Sequence, residues 1–339
     1  MKILITGGTG FLGRRTVEQL APNHDLRLLV RPTSSRDRFP SDVEFAEGDV
    51  VDRDSLVRAS EGCDAILHAA ALVKIMAPGA DFDRINVGGL DNVVAASKTN
   101  GIGRVVYVSS FMALGPTEKG PGGRLDETAP VDDRRWINHY ERTKTLSDRA
   151  ARVAIDEGVP LNVVYPGVIY GPGELTEGNI VLRHVLDLAN KRLPALLGSP
   201  DRVWNYSFVE DVASGIVSVL ENAPTGGRYV LGGDNVTQGE FYRTVERVFR
   251  IKTPGLRMPN AVATLSGAMM KGWAQLTGGT PQLTPDLVEV YKHDWALSSQ
   301  RAADEFGYKP RSLEDGLSET FDWLKSAGHW PAKLSGRAA

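Results

Sequence analysis

The chain has 339 residues, 42% hydrophobic and 24% charged, with a formal net charge of −3 and a pI of about 6.1. This is the composition of an ordinary globular protein longer than one hydrophobic core usually grows, so one large domain and a smaller lobe are expected. No basic excess points to nucleic acid or an anionic membrane surface, and a single cysteine, Cys63, excludes an intrachain disulfide.

The first apolar run, Ile3 to Ile5, reads as a buried strand and leaves no room for a signal peptide ahead of it. Gly7, Gly10 and Gly13 follow at a spacing of three, and Arg14 to Leu20 reads as an amphipathic helix. Strand, glycine turn, helix is the order a pyrophosphate site needs. The glycines let the backbone turn tightly and come close to phosphates, and the helix start offers free N–H groups with partial positive charge. A turn that is merely glycine-rich is the bland alternative. The position between a strand and a helix, at the head of a long chain, argues against it.

Further strands are expected at Leu26–Val30, Val43–Ala46, Ala65–Leu67, Val105–Val108, Leu161–Val164 and Tyr229–Leu231, with helices at Asp54–Ser60, Val87–Thr99 and Asn260–Thr277. Short continuous apolar strands alternating with helices imply a parallel sheet covered on both faces. Right-handed crossovers then give a doubly wound α/β fold, the Rossmann fold. Loops concentrate at 31–41 and at 116–135, the second carrying Pro116, Gly120, Pro121, Gly122 and Gly123. No uncharged apolar run reaches the roughly 18–20 residues of a membrane span. A reducing, cytoplasmic setting is compatible with the single cysteine.

The fifth strand closes on Val108-Ser109-Ser110, and Tyr140-Glu141-Arg142-Thr143-Lys144 follows thirty residues after Ser110. On a helix Tyr140 and Lys144 share one face. An ammonium beside a phenol favours the phenolate and moves the tyrosine from its usual pKa near 10 towards useful pH. Such a tyrosine can exchange a proton with a substrate oxygen, while a serine hydroxyl holds the same oxygen. Arg31 and Arg36, with Arg38, follow the second strand where an acid would bond ribose hydroxyls. A guanidinium there can clamp a 2′-phosphate, which favours NADP(H) over NAD(H); a plain surface-loop arginine is the alternative.

The glycine spacing with Thr6 before it, the Ser-Ser pair and the Y-x-x-x-K pattern together resemble the extended branch of the short-chain dehydrogenase/reductase superfamily, the NAD-dependent epimerase/dehydratase group. The likeness covers nearly the whole chain, most specifically residues 3–13, 109–144 and 165–172. It implies catalytic Ser110, Tyr140 and Lys144. Ser110 is preferred to Ser109 because it lies five residues before Gly115, as in the family's S-x-x-x-x-G pattern. Cofactor contacts are implied at Gly7, Thr9, Gly10, Phe11, Leu12 and Gly13, at Asp49 and Val50 near the adenine, and at Ala69, Ala70 and Ala71 under the cofactor. Ser109, Tyr140, Lys144, Pro166, Gly167 and Val168 complete the set, and no metal is expected. Lys144 would also bond the nicotinamide ribose. The alternative for Asp49 is to cap the next helix or to serve only its own turn. Asn86 suits a structural tie as well as a cofactor contact, His68 reads as a packed strand-end residue, and Asp211 in Phe208-Val209-Glu210-Asp211-Val212 reads as structural. A homodimer is a family-level expectation.

The expected division is a dinucleotide-binding domain at 1–172 with a returning segment near 204–232, a mainly substrate-binding α/β lobe at 173–330, and a flexible tail at 331–339. Sugar-nucleotide members commonly carry R-x-x-N-x-x-G-P, where this chain has Tyr165 and Val168. Arg183 and Arg202 remain as partners for a diphosphate. Leu72 to Met76 follows the fourth strand at the expected pocket mouth. The run with Val262, Leu265, Met269, Met270, Trp273 and Leu276 reads as lobe core, a dimer contact, or a lid over an apolar substrate, with membrane-surface association a further option. Together these features point to a reductase/dehydrogenase similar to dihydroflavonol 4-reductase and 3β-hydroxysteroid dehydrogenase, acting on a mainly apolar carbonyl or alcohol. A nucleotide-sugar epimerase/dehydratase holding NAD tightly and a non-catalytic dinucleotide-sensing protein are the alternatives.

Overall fold

In the computed structural model the apolar runs become strands of one central sheet, and the amphipathic segments between them cover it. The structure describes residues 1–37, 39–74, 77–117, 123–131, 134–279 and 281–331. Arg38, Ile75, Met76, Gly120, Pro121, Gly122 and the tail from 332 lie outside the described residues. The first half runs β1 (Lys2–Thr6), α1 (Phe11–Leu20), β2 (Asp25–Val30), β3 (Glu44–Glu47), α2 (Arg53–Ser60), β4 (Ala65–His68), α3 (Gly79–Phe82), α4 (Gly88–Asn100), β5 (Arg104–Val108), α5 (Phe111–Leu114), α6 (His139–Asp156) and β6 (Leu161–Pro166). The second half runs β7 (Val168–Tyr170), α7 (Ile180–Ala189), β8 (Val203–Phe208), α8 (Val209–Asn222), β9 (Arg228–Leu231), β10 (Asp234–Thr237), α9 (Gln238–Phe249), α10 (Asn260–Thr277), α11 (Pro285–Val290), α12 (Gln300–Phe306) and α13 (Leu313–Ser326).

Seven parallel strands lie in the order β3-β2-β1-β4-β5-β6-β9. Leu56, Leu90, Val93 and Ala151 close one face, and Val17, Leu20, Val212 and Ile216 close the other. Both faces are dry because a parallel sheet carries helices on each side. The chain moves outward from β1 to β3 and then restarts on the opposite side with β4. The crevice beyond the strand ends between β1 and β4 is therefore the topological switch point, where α/β sheets bind ligands. One residue, Gly167, separates β6 from β7, which joins a second sheet of order β10-β8-β7. A Cβ at 167 would lie 2.2 Å from the Asn205 Oδ1 and 2.5 Å from the Ser207 Oγ, so the handover between sheets requires glycine. Helices α7, α9 and α13 cover the smaller sheet around Val185, Phe241, Tyr242 and Leu317.

Local chemistry sets where the helices start. Asn138 accepts from the Glu141 N–H at 2.8 Å and opens α6. Thr237 and Glu240 form a capping box at α9. The helix expected from Val87 begins earlier, with a π-helical turn at Asp83–Val87 ahead of α4. No described helix is long and apolar enough to cross a membrane.

Candidate active site

The glycine turn sits at the switch point. Gly7 follows β1 at φ +74°, and a Cβ there would lie 2.5 Å from the Ala70 nitrogen. A Cβ on Gly13 would lie 2.1 Å from the Gly7 carbonyl oxygen. The turn is thus folded onto the start of α1 and onto the β4 exit with no room for side chains. Gly10 is the N-cap of α1 and brings no side chain to bond the helix-start N–H groups. Thr9 and Gly10 are exposed, Phe11 and Leu12 half-buried, and Gly13 buried. A Cβ on Gly173 would lie 2.8 Å from the Phe11 ring, which brings the segment after β7 against the turn. This cradle of backbone and free helix-start N–H groups fits a dinucleotide pyrophosphate. The β1 and β4 ends are cross-linked by Thr6 Oγ1 and His68 Nδ1 at 2.7 Å. His68 is buried and stacks on Tyr107, and burial first, then the nearby Lys144, lowers its pKa to about 3. It is a neutral, packed strand-end residue.

Arg31 is exposed immediately after β2, and its carbonyl accepts from the Ser34 N–H at 2.9 Å. Arg36 is also exposed, 3.4 Å from Glu47 and over the Phe45 ring. The Asp49 carboxylate accepts from the Val51 N–H at 3.2 Å and so serves its own turn. The helix-cap role expected as an alternative falls to Asp52, which accepts from the Asp54 and Ser55 N–H groups. Val50 is buried, and its carbonyl accepts from Asn92 at 3.0 Å. Ala69, Ala70 and Ala71 are half-buried along the β4 exit. Asn86 has its side chain fully engaged with Leu72 N–H at 2.7 Å, the Leu72 carbonyl at 3.2 Å and Thr143 Oγ1 at 3.1 Å. It ties the β4 exit to α6, which is the structural reading of that residue.

Ser109 and Ser110 are buried at the β5 exit. The Ser110 Oγ caps α5, accepting from the Met112 N–H at 3.3 Å. Tyr140 stands in the first turn of α6, half-buried, and packs against the core of the second sheet. Lys144, one turn on and 2% exposed, donates to the Val108 carbonyl at 2.9 Å and to the Tyr107 hydroxyl at 3.4 Å. Burial pulls its pKa from 10.5 to about 7. The Tyr140 phenol was expected to be shifted down by Lys144. The structure corrects this: burial raises it, and the nearby Ser110 side chain opposes the rise. The physical reason is direction, since the ammonium is held by acceptors of β5. Ser110 and Tyr140 are thus brought together from segments thirty residues apart.

The Lys144 shift has a measurable consequence. Between pH 7 and 10.5 the unfolded lysine binds a proton that the folded one does not, so stability rises with pH through that window. Lys144→Met removes this dependence. Relative to wild type, the variant should gain a few kcal/mol more at pH 6 than at pH 10 in urea unfolding, the orphaned Val108 carbonyl adding a pH-independent cost. Parallel stability curves for the two proteins would show that the amine is not desolvated.

Beyond β6, Pro166 pairs with Leu231 and Val168 with Tyr206. Tyr165 is buried and donates its hydroxyl to the fully buried Asp148, which also accepts from Arg152 at 2.8 Å. Arg202 pairs with Asp294 at 3.4 Å, whereas Arg183 is exposed on α7. Asp211 binds the Arg311 backbone N–H and guanidinium at 2.8–3.2 Å, locking α8 to the segment before α13. The expected core role of the α10 stripe is overturned. Val262, Leu265, Met269, Trp273 and Leu276 are 51%, 65%, 69%, 70% and 84% exposed, and α10 is buried only through Ala263, Gly267 and Ala274. The sequence reading also passed over Arg134, whose partners lie on α5 and α6. Arg134 stands beside Arg135 after a glycine- and proline-rich stretch, and the pair shows no helical or strand periodicity. Among the described residues no group of three His, Cys, Asp or Glu could hold a metal ion.

A seven-stranded doubly wound sheet, a glycine cradle at its switch point and a Ser/Tyr/Lys group at the β5 exit define an NAD(P)-dependent oxidoreductase of the extended short-chain type. The chain belongs to the NAD-dependent epimerase/dehydratase family, whose model matches residues 3–232. It is 27% identical to a Synechocystis sp. protein provisionally named a dihydroflavonol 4-reductase, over 96% of this chain and 95% of that one. It is also 27% identical to a Mycobacterium tuberculosis 3 beta-hydroxysteroid dehydrogenase/Delta 5-->4-isomerase, over 96% and 90%. The crystal structure of gox2253 superposes with a TM-score of 0.82 at 30% identity, covering 97% of this chain and 99% of that one.

Proposed function

We propose that the protein is an NADP(H)-preferring reductase/dehydrogenase that interconverts a ketone or aldehyde and an alcohol on a mainly apolar small molecule in the cytoplasm. The observation that carries this reading is the placing of Tyr140 on α6 near the buried Ser110 of the β5 exit, one helical turn from the buried Lys144, which is itself bonded to the β5 end. When bound, the nicotinamide supplies or takes the hydride. The residues of the cradle, Gly7 to Gly13, would hold the pyrophosphate, and Pro166, Gly167 and Val168 would bind towards the nicotinamide end. In reduction, Ser110 donates a hydrogen bond to the carbonyl oxygen and Tyr140 delivers the proton from its Oη. Lys144, anchored on the Val108 carbonyl, would orient the ribose. A phenol held above pKa 10 is a proton donor at neutral pH, which suits the reductive direction.

An apolar substrate is favoured over a sugar nucleotide by the groups that a diphosphate would need. Residue 165 is a tyrosine bonded inside the core, residue 168 a buried valine, and Arg202 is already engaged by Asp294. An unpaired diphosphate in a desolvated site is costly. The names of the two curated relatives point the same way. The deciding experiment assays flavonoid, steroid, aliphatic and aromatic ketones and UDP- and dTDP-sugars with both cofactors. The proposal expects NADPH oxidation with an apolar ketone. Turnover of a nucleotide sugar with NAD retained through purification would replace it by the epimerase/dehydratase reading, and no turnover of any carbonyl by the sensing one. In the same assay Arg31→Ala should lower the NADPH-to-NADH ratio of kcat/KM about tenfold or more, the worth of one charge-assisted bond. An unchanged ratio would refute the phosphate clamp.

A further inference from the structure

We propose that Arg134 is a positioning residue that sets the separation of the Ser110 and Tyr140 hydroxyls; this rests on the catalytic reading above. The two hydroxyls belong to different segments, the β5 exit and the start of α6, joined by a long glycine- and proline-rich loop. Described parts of that loop are anchored to the C-terminal segment, the Thr117 N–H donating to the Asp294 carbonyl at 2.7 Å and the Leu125 N–H to the Ala296 carbonyl at 2.9 Å. Arg134, near the end of the loop, ties the loop's two ends to each other with its guanidinium. Nη2 donates to the Met112 carbonyl at 3.0 Å and to the Ala113 carbonyl at 3.3 Å. These are carbonyls of the single-turn helix capped by Ser110, and the Met112 carbonyl accepts from the Gly115 N–H at 3.3 Å as well. On the other side Nε donates to the Glu141 Oε1 at 3.0 Å and Nη2 to the Thr145 Oγ1 at 3.2 Å. Glu141 follows Tyr140 and Thr145 follows Lys144, so one side chain grips the neighbours of all three members of the group.

The grip is built on rigid partners. Glu141 and Thr145 are fully buried. The second Glu141 oxygen accepts from the Ile137 N–H at 2.6 Å, and the Glu141 N–H is itself held by Asn138. The guanidinium also lies where a side chain of residue 115 would start. Gly115 has φ +90°, and a Cβ there would be 2.9 Å from the Arg134 Cζ. The close approach and the left-handed backbone therefore both require glycine at 115. Only a planar fork serves acceptors on two sides at once; a lysine ammonium at the same place is a point charge without that geometry. Because both hydroxyls must reach one substrate oxygen, a shift of about 1 Å at this joint costs on the order of 100-fold in rate.

The test uses the full-length chain with NADPH and the ketone turned over fastest in the panel above. Arg134→Ala is expected to lower kcat about 100-fold. NADPH affinity, read by fluorescence titration, and folded fraction at the assay temperature should stay near wild type. Gly115→Ala should reproduce the same split if Arg134→Ala proves too unstable to assay. Methylguanidinium should restore at least part of kcat in Arg134→Ala and leave wild type unaffected. A kcat within threefold of wild type overturns the proposal, as does a loss of kcat matched by loss of NADPH affinity or of folded protein. Tyr140→Phe measured alongside separates the two ideas. If it retains full turnover, the catalytic reading has failed; if it is dead while Arg134→Ala is active, only the positioning role has.

Discussion

Tyr140→Phe is expected to lower kcat by roughly 10²–10⁴-fold, the usual worth of a positioned general acid. The substitution removes one oxygen and keeps the ring, so the packing of residue 140 against the second core is retained. NADPH affinity should change by less than twofold, because the phosphate cradle is built from backbone at Gly7 and Gly13, away from α6. A fall in kcat with the cofactor constant unmoved identifies an interaction made during reaction and absent from ground-state binding. Turnover within tenfold of wild type would remove Tyr140 from the chemistry. Stopped-flow measurement of the hydride step distinguishes this from a change in product release.

Gly13→Ala is expected to be the most damaging single methyl group in the nucleotide half. Its Cβ would sit 2.1 Å from the Gly7 oxygen, 2.8 Å from the Gly7 carbonyl carbon and 3.0 Å from the Gly8 Cα, all main-chain atoms. A flexible side chain can move aside, whereas the turn can move only by leaving Ala69 and Ala70. Overpacking of this kind costs about 3 kcal/mol or more in stability. It also opens the turn, so NADPH affinity should fall by more than about tenfold, or about 1.4 kcal/mol. Gly62→Ala is the control: Gly62 has φ +70° with open space around it, so it should lose only the left-handed backbone preference, about 1 kcal/mol, with affinity intact. Equal melting temperatures and equal NADPH affinities for Gly13→Ala and wild type would show that the tight turn is not required.

The fold was legible because its signals are local. The buried strands are short apolar runs, and the glycine turn lies between a strand and a helix within a dozen residues of the start. Tyr140 and Lys144 were legible for the same reason, being one helical turn apart. What escaped depends on contacts distant in sequence. Arg134 acts on Met112 and Ala113 behind it and on Glu141 and Thr145 ahead of it, and no periodicity records that. The direction of the Lys144 amine is decided by Val108 and Tyr107, thirty-six and thirty-seven residues away. In α10 the helix itself was read correctly, with bounds at Asn260 and Thr277. Periodicity identifies an apolar stripe without telling which side meets the protein, and here small residues form the buried side.

The passage through Gly167 also limits how the molecule can breathe. Because strand follows strand across a single residue wedged against Asn205 and Ser207, the two sheets are welded at that joint. A larger side chain at 167 would have to displace the Asn205 and Ser207 side chains of β8, the strand that pairs with β7. A rotation of one sheet against the other would have to be taken up by the backbone of this single residue, which leaves little slack between the nucleotide half and the smaller lobe.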